Sequence, residues 1–199
     1  MITTVIFDIG NVLTAFGWEE FIKNFGYSDE MCRRIGEATI LSDDWCEYDR
    51  GVLTESEIMA RFYENDPEIK NEIDVVLKDW DGILKRCDFA IPWIEELKQR
   101  GYRVLFLSNF SDRAFRECAS ALDFLPHVDG GVFSYRVKMI KPDISIFLYI
   151  LNAYNLTAQE CVFLDDTLPN VETAKSLGMH TVHVTDYESA HTKLNEILD

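Results

Sequence analysis

The 199-residue sequence predicts an α/β fold: an open, doubly wound parallel sheet with an inserted helical segment. Three observations carry this prediction. Short apolar, β-branched runs recur and end in polar residues, as suits strands buried on both faces. Helical patterns opened by a proline or a capping residue lie between them. One long stretch, from about Trp18 to Gly82, breaks the alternation and holds no apolar strand run.

The first strand is read at Thr3 to Phe7, TTVIF, closed by Asp8 and Gly10. Within the interrupting stretch, Phe21 and Phe25, then Ile58 and Phe62, fall at helical spacing. Thr54 and Glu57 form a capping box that starts a helix at Glu55. The stretch is expected to hold roughly four helices of the usual length of about 11–12 residues. Gly17 and Asp81-Gly82 are its expected hinges. Pro92 then opens a helix that Gly101 stops. Tyr102 to Leu107 is the second buried strand, ending at Ser108-Asn109. Ser111 to Leu122 reads as a helix, and Val132 to Tyr135 as a weak strand. Pro142 begins a helix that runs to about Tyr154. Cys161 to Leu164 is a strand closed by Asp165-Asp166, Pro169 opens a helix ending near Gly178, and His180 to Val184 is the last strand.

Composition narrows the function. Hydrophobic residues make up 47% and aromatic residues 13%, which excludes a disordered chain. The net charge of −16 argues against nucleic acid and against an anionic membrane surface as partners. No apolar run approaches the ~18–20 residues of a membrane helix. The N-terminal residues show no basic leader, and the five scattered cysteines form no close pair. Together they predict a reducing, cytoplasmic setting. The four histidines, His127, His180, His183 and His191, have no metal-ligand spacing.

Chemistry is expected beyond the carboxyl ends of the strands, where open α/β sheets form their ligand crevice. Those ends carry Asp8, Ser108, Asn109, Asp165 and Asp166. Gly10 permits close backbone approach to a ligand. Lys141 precedes a helix start, a good position for an anion site, and Asn170 follows Asp166 by four residues. Acid, hydroxyl, lysine and acid pair, in that order, make a coherent site for a phosphate and Mg²⁺, a hard cation that takes oxygen ligands.

Asp8-Ile9-Gly10-Asn11-Val12, Ser108-Asn109, Lys141-Pro142, and Asp165-Asp166 with Asn170 resemble the four motifs of the haloacid dehalogenase-like (HAD) hydrolase superfamily. Their order and spacing match the members with a helical cap between the first two motifs. The resemblance implies a Rossmann-like core from residues 1–16 and 83–199 and a cap over 17–82. It implies a Mg²⁺-dependent phosphatase acting on a small phosphorylated metabolite. Asp8 is the implied nucleophile, forming an aspartyl-phosphate. Asp8, the Gly10 carbonyl and Asp166 are the implied metal ligands. Ser108 and Asn109 would hold the phosphoryl oxygens, and Lys141 would neutralise the charge shared by Asp8 and the phosphate. Asp165 and Asn170 would support the metal and Lys141 from behind.

One position departs from that pattern. Members of the superfamily usually carry a second aspartate two residues after the nucleophile, as general acid and base. Here that residue is Gly10, and such help is worth about 10²–10⁴-fold. Three readings follow. An active phosphatase leads, because the Asp-x-Gly-Asn-Val form resembles some bacterial sugar-phosphate phosphatases and the amino-terminal domain of epoxide hydrolases; a sugar phosphate is then the expected substrate. A 2-haloacid dehalogenase needs no such acid, but the acid pair Asp165-Asp166 disfavours it. A non-catalytic phosphate binder is the third. Specificity is expected from the cap, where Trp45, Tyr48 and Arg50 are candidates, or from Phe16 and Trp18 at the entrance. The competing reading has the aromatics packed among cap helices and Arg50 on the surface. The sequence says nothing of whether the chain pairs with itself.

Overall fold

The computed structural model describes residues 1–199. In chain order the strands are β1 (Thr4–Phe7), β2 (Thr14–Phe16), β3 (Leu84–Arg86), β4 (Arg103–Ser108), β5 (Gly130–Phe133), β6 (Cys161–Asp165) and β7 (His180–His183). The helices are α1 (Trp18–Lys23), α2 (Asp29–Ala38), α3 (Asp43–Arg50), α4 (Glu55–Asn65), α5 (Lys70–Val76), α6 (Ala90–Gln99), α7 (Asp112–Glu117), α8 (Ser134–Val137), α9 (Ile144–Ala153), α10 (Leu168–Ser176) and α11 (Tyr187–Leu198).

Five strands form one parallel sheet in the order β5-β4-β1-β6-β7. Side chains alternate between its faces. Ile6, Leu105, Leu107 and Phe163 pack with Ile146, Phe147 and Ile150 of α9 and Ala174 of α10. Val5, Phe7, Val104, Phe106, Val162 and Leu164 belong to the opposite layer, with Trp93 and Ile94 of α6 and Leu194 of α11. Each side chain of Val5, Ile6 and Phe7 is fully buried. Burial of a side chain this size is worth about 1.5–3 kcal/mol, so β1 is held from both sides. The doubly wound sheet expected from the sequence is therefore the fold.

Several elements differ from expectation. Between β2 and β3 lie five helices rather than roughly four, because α1 and α5 have only six and seven residues and show little periodicity. The capping box is present: Thr54 Oγ1 accepts from the Glu57 N–H, and the Glu57 carboxylate accepts from the Thr54 N–H. β2 and β3 pair antiparallel, a short ribbon at the two ends of this helical segment. The Ser111–Leu122 helix divides into α7 and a 3₁₀ turn, Ala119–Leu122, which packs on β3. β5 begins at Gly130, earlier than expected, and Ser134 already starts α8. The sequence reading also missed α11, whose cap Asp186 accepts from the Ser189 N–H. The hydrophobic cluster on the α6 face runs unbroken into the helical segment through Ile22, Ile35, Phe62 and Trp80.

Candidate active site

The strand order decides which distant residues meet. β1 lies between β4 and β6, so Asp8, Ser108 and Asp165 come together at adjacent strand ends. The Asp8 N–H still donates to the Leu164 carbonyl, 2.8 Å, which fixes where the Asp8 side chain leaves the sheet. Lys141, in the loop before α9, enters from the side. Its Nζ is 2.8 Å from Asp8 Oδ1 and donates to Asp165 Oδ2 at 2.6 Å. The lysine is only 3% exposed, so its charge is stable here only because two carboxylates flank it. Burial works against that charge, yet Asp8 and Asp165 hold its pKa above the ordinary lysine value.

Asp165 is fully occupied. Oδ1 accepts from the Thr167 N–H (2.8 Å) and Asn170 Nδ2 (3.0 Å), and Oδ2 from Lys141 and again from Asn170 (3.1 Å). Asp166 is more open. Asn11 Nδ2 donates to its Oδ2 at 3.0 Å, and His183 Nε2 donates to its main-chain carbonyl at 2.9 Å. Asn109 uses its side-chain amide on the Lys141 backbone, giving at 2.9 Å and accepting at 2.8 Å. That exchange ties the β4 end to the lysine loop.

Oxygens from Asp8, Asp165 and Asp166 all lie within 4.8 Å of one another. Three like charges so close oppose one another. Burial first, then Asp165 and Asp166, push the Asp8 carboxyl up to about 7, against the pull of Lys141. Asp8 Oδ1 is buried, and beyond the ion-pair contact with Lys141 no donor reaches it. With Asp165 taken up by Lys141 and Asn170, the free oxygens belong to Asp8 and Asp166. Such a donor set fits a hard divalent cation.

Beside this cluster opens a chamber of about 140 Å³. Asp8, Gly10, Ser108 and Asn109 form its floor, and Trp45, Asp49 and Trp80 of the helical segment its roof. Phe16, Ile83, Leu84 and Phe110 complete an apolar wall, with Trp45 and Trp80 stacked at 5.3 Å between ring centroids. Of the specificity candidates, Phe16 and Trp45 reach the chamber. Tyr48 is buried against Phe62 and Trp80 instead. Trp18 lies outside the chamber, against Gly36. Arg50 is committed to Glu47 (3.2 Å) and Asp143 (3.1 Å) rather than turned to a ligand.

Two residues without a role in the sequence reading stand here. Asn11, at φ 54°, bridges Asp166 to the N–H of Phe16, 3.1 Å. Asp49 brings a second carboxyl to the chamber. Burial first, then the charge of Asp8, push its pKa up to about 8, against Lys141 and a hydrogen bond from the Ser111 N–H.

The chain is similar to several known proteins. The chain is 28% identical to drimenol cyclase drtB of Aspergillus calidoustus over 99% of its own length, and spans 37% of that protein. It is 24% identical to sesquiterpene phosphatase astK of Aspergillus oryzae, across 97% of this chain and 95% of that one. A HAD family enzyme of Bacteroides thetaiotaomicron, solved with magnesium and inorganic phosphate, superposes with a TM-score of 0.73 at 20% identity, covering 96% of this chain and 99% of the other. No helix of this chain is long and apolar enough to cross a membrane. The model of the haloacid dehalogenase-like hydrolase family matches residues 2–178, and the chain belongs to that family of hydrolases.

Proposed function

We propose that this chain is a Mg²⁺-dependent phosphatase that hydrolyses a phosphate monoester through an aspartyl-phosphate on Asp8. The observation that carries the reading is the buried Asp8 carboxylate, paired at Oδ1 with Lys141 alone and within 4.8 Å of the Asp165 and Asp166 oxygens. A carboxylate must approach a phosphate dianion, and only concentrated positive charge permits that. Asp8, Asp166 and the Gly10 carbonyl would hold Mg²⁺, which when bound supplies that charge and polarises a phosphoryl oxygen. Lys141 supplies the rest, kept in place by Asp165 and Asn170. Ser108 and the Asn109 main chain orient the phosphoryl group, so that an Asp8 oxygen attacks phosphorus in line with the departing alcohol.

The sequence resemblance implied a sugar phosphate, but the chamber wall favours a different organic group. Phe16, Ile83, Leu84 and Phe110 offer no partners for sugar hydroxyls, and the Trp80 N–H is already given to the Leu77 carbonyl. Each hydroxyl left unpaired against them would cost about 1–3 kcal/mol. An apolar or aromatic ester gains from the same wall, and the relative astK is named a sesquiterpene phosphatase. The chamber is smaller than the ~300–1,000 Å³ of ordinary ligand pockets, so a long ester must displace part of the roof.

Release of inorganic phosphate from benzyl phosphate, with and without EDTA, tests the function. Activity should need Mg²⁺ and vanish in Asp8→Asn with the fold intact. Turnover by Asp8→Asn within about tenfold of the parent would refute the nucleophile. Halide release from a chloroacid would favour a dehalogenase, and phosphate binding without turnover a non-catalytic binder.

A further inference from the structure

The phosphatase reading leaves one atom without a source. An alcohol departing from phosphorus needs a proton, and Gly10 has none to give. Lys141 is held between Asp8 and Asp165. All the acceptor positions of Asp165 are in use, Asp166 does not line the chamber and would hold the metal, and no histidine lines the chamber. Apart from Asp8, the one ionisable side chain lining it is Asp49, on the last turn of α3.

The segment carrying Asp49 is fixed to the sheet domain at three consecutive residues. Ser134 Oγ donates to the Asp49 carbonyl at 2.6 Å. The Arg50 guanidinium bonds Asp143 at 3.1 Å, and Lys138 Nζ donates to the Gly51 carbonyl. Gly51 sits at φ 68°, and a Cβ there would come within 2.9 Å of Tyr135 Cβ. Only glycine lets the end of α3 lie this close to α8. The Ser111 N–H faces the Asp49 carboxyl and favours its ionised form. Three contacts, from Ser134, Lys138 and Asp143, thus anchor the end of α3, and its Asp49 lines the same chamber as Asp8. At Gly10 a Cβ would meet nothing within 4 Å, so the space that an acid would fill on the β1 turn is open beneath it.

We propose that Asp49 is the general acid and base of the reaction, delivered from α3 in place of the acid that β1 lacks. The assignment rests on the phosphatase reading above. In the first step an Asp8 oxygen bonds to phosphorus, the bond from phosphorus to the alcohol oxygen breaks, and that oxygen takes the proton of the Asp49 carboxyl. In the second, the Asp49 carboxylate takes a proton from water as the water oxygen bonds to phosphorus. The bond from phosphorus to Asp8 breaks, phosphate leaves, and both aspartates return to their starting states. Asp8, Lys141 and the Ser111 N–H are the groups that face Asp49; burial and then the charge of Asp8 raise its pKa, in the direction a proton donor needs.

The test compares wild type and Asp49→Asn, with Mg²⁺, on 4-nitrophenyl phosphate and benzyl phosphate in the first turnover and at steady state. Nitrophenolate leaves without a proton; benzyl alkoxide does not. Asp49→Asn should therefore release nitrophenolate in a burst of about one per chain and then turn over about 10²–10⁴-fold more slowly than wild type. With benzyl phosphate the first turnover itself should slow by a similar factor, without a burst. Gly10→Asp in the Asp49→Asn background should recover part of the loss. A misfolded or mispositioned site would slow both esters equally and show no burst, and that result would overturn the assignment, as would unchanged rates. Wild type inactive on both esters would instead remove the phosphatase reading, and the assignment with it.

Discussion

Lys141→Met is the most direct probe of how the site is held together. The lysine lies 2.8 Å from Asp8 and 2.6 Å from Asp165, and the three side chains are 1%, 10% and 0% exposed. At an effective dielectric of about 20, each of these pairs attracts by about 6 kcal/mol. Desolvation of three ions, at several kcal/mol each, offsets most of that. Methionine removes the attraction but leaves two carboxylates buried, and breaking a buried pair costs about 3–5 kcal/mol. Against a total stability of about 5–15 kcal/mol that is a large fraction. For a domain of this size it corresponds to a fall in Tm of about 6–20 °C, at about 2–4 °C per kcal/mol. Urea unfolding followed by tryptophan fluorescence, in EDTA, measures it; the chain has four tryptophans.

The pH dependence has a definite sign. Asp8 already stands near 7, far above the ordinary 3.8, and loss of Lys141 removes the influence that lowers it. A carboxyl raised in the folded state binds its proton more tightly than in the unfolded chain. Stability therefore falls as pH rises from about 4 through the folded value. The loss in Lys141→Met should be larger at pH 8 than at pH 6. If Lys141→Met does not fold, Lys141→Met with Asp165→Asn should recover stability, because one stranded charge is gone. A loss below about 1 kcal/mol, or a larger loss at pH 6, would refute the argument.

Two further outcomes are expected. Asp129 accepts from Lys98 Nζ at 2.7 Å and from the Val104 N–H at 2.9 Å; burial opposes them, but the net effect lowers its pKa below 3.8. Its contribution is present above the unfolded value and lost as pH falls through the folded one. Asp129→Asn should thus cost about 1 kcal/mol at pH 7, discounted for partial exposure, and progressively less as pH falls below the ordinary carboxyl value in urea titrations. In a substrate panel, kcat/KM for benzyl phosphate should exceed that for glucose 6-phosphate by at least about tenfold, the effect of one or two unpaired hydroxyls. A preference for the sugar ester would mean that the apolar wall does not select the substrate.

The buried strands were legible because their two-sided burial writes a continuous apolar run, as in Val5-Ile6-Phe7 and Val104 to Leu107. β5 was not, because Gly130 and Gly131 carry no side chains to pattern. A Cβ on Gly131 would fall 2.3 Å from the Phe106 ring, so packing requires the residue that hides the strand. β2 and β3, three residues each, are too short for a period of two to declare itself. Asp8, Ser108, Lys141, Asp165, Asp166 and Asn170 stood out because each sits at a strand end or a helix start. Asn11 did not, since its contact with Asp166 depends on a left-handed backbone that the sequence does not display. Asp49 shares α3 with Asp43, Asp44 and Glu47, acids that read alike along the chain. Only the fold of α3 onto α8 sets it apart.

An acid on the turn after β1 is in place whether or not the chamber is shut. An acid on α3 is in place only while Ser134, Lys138 and Asp143 hold the end of that helix down. With Asp49 as the donor, cleavage of a poor leaving group is conditional on closure, whereas attack by Asp8 is not. The cost is that an ester too long for the closed chamber must move the roof without freeing Asp49. Trp45 and Trp80 belong to that roof; Trp80 is buried and donates its indole N–H to the Leu77 carbonyl, whereas the Trp45 ring is held by stacking and the end of α3 by hydrogen bonds. Substrate length is therefore accommodated at the Trp45 ring, and proton transfer is kept at the clamp.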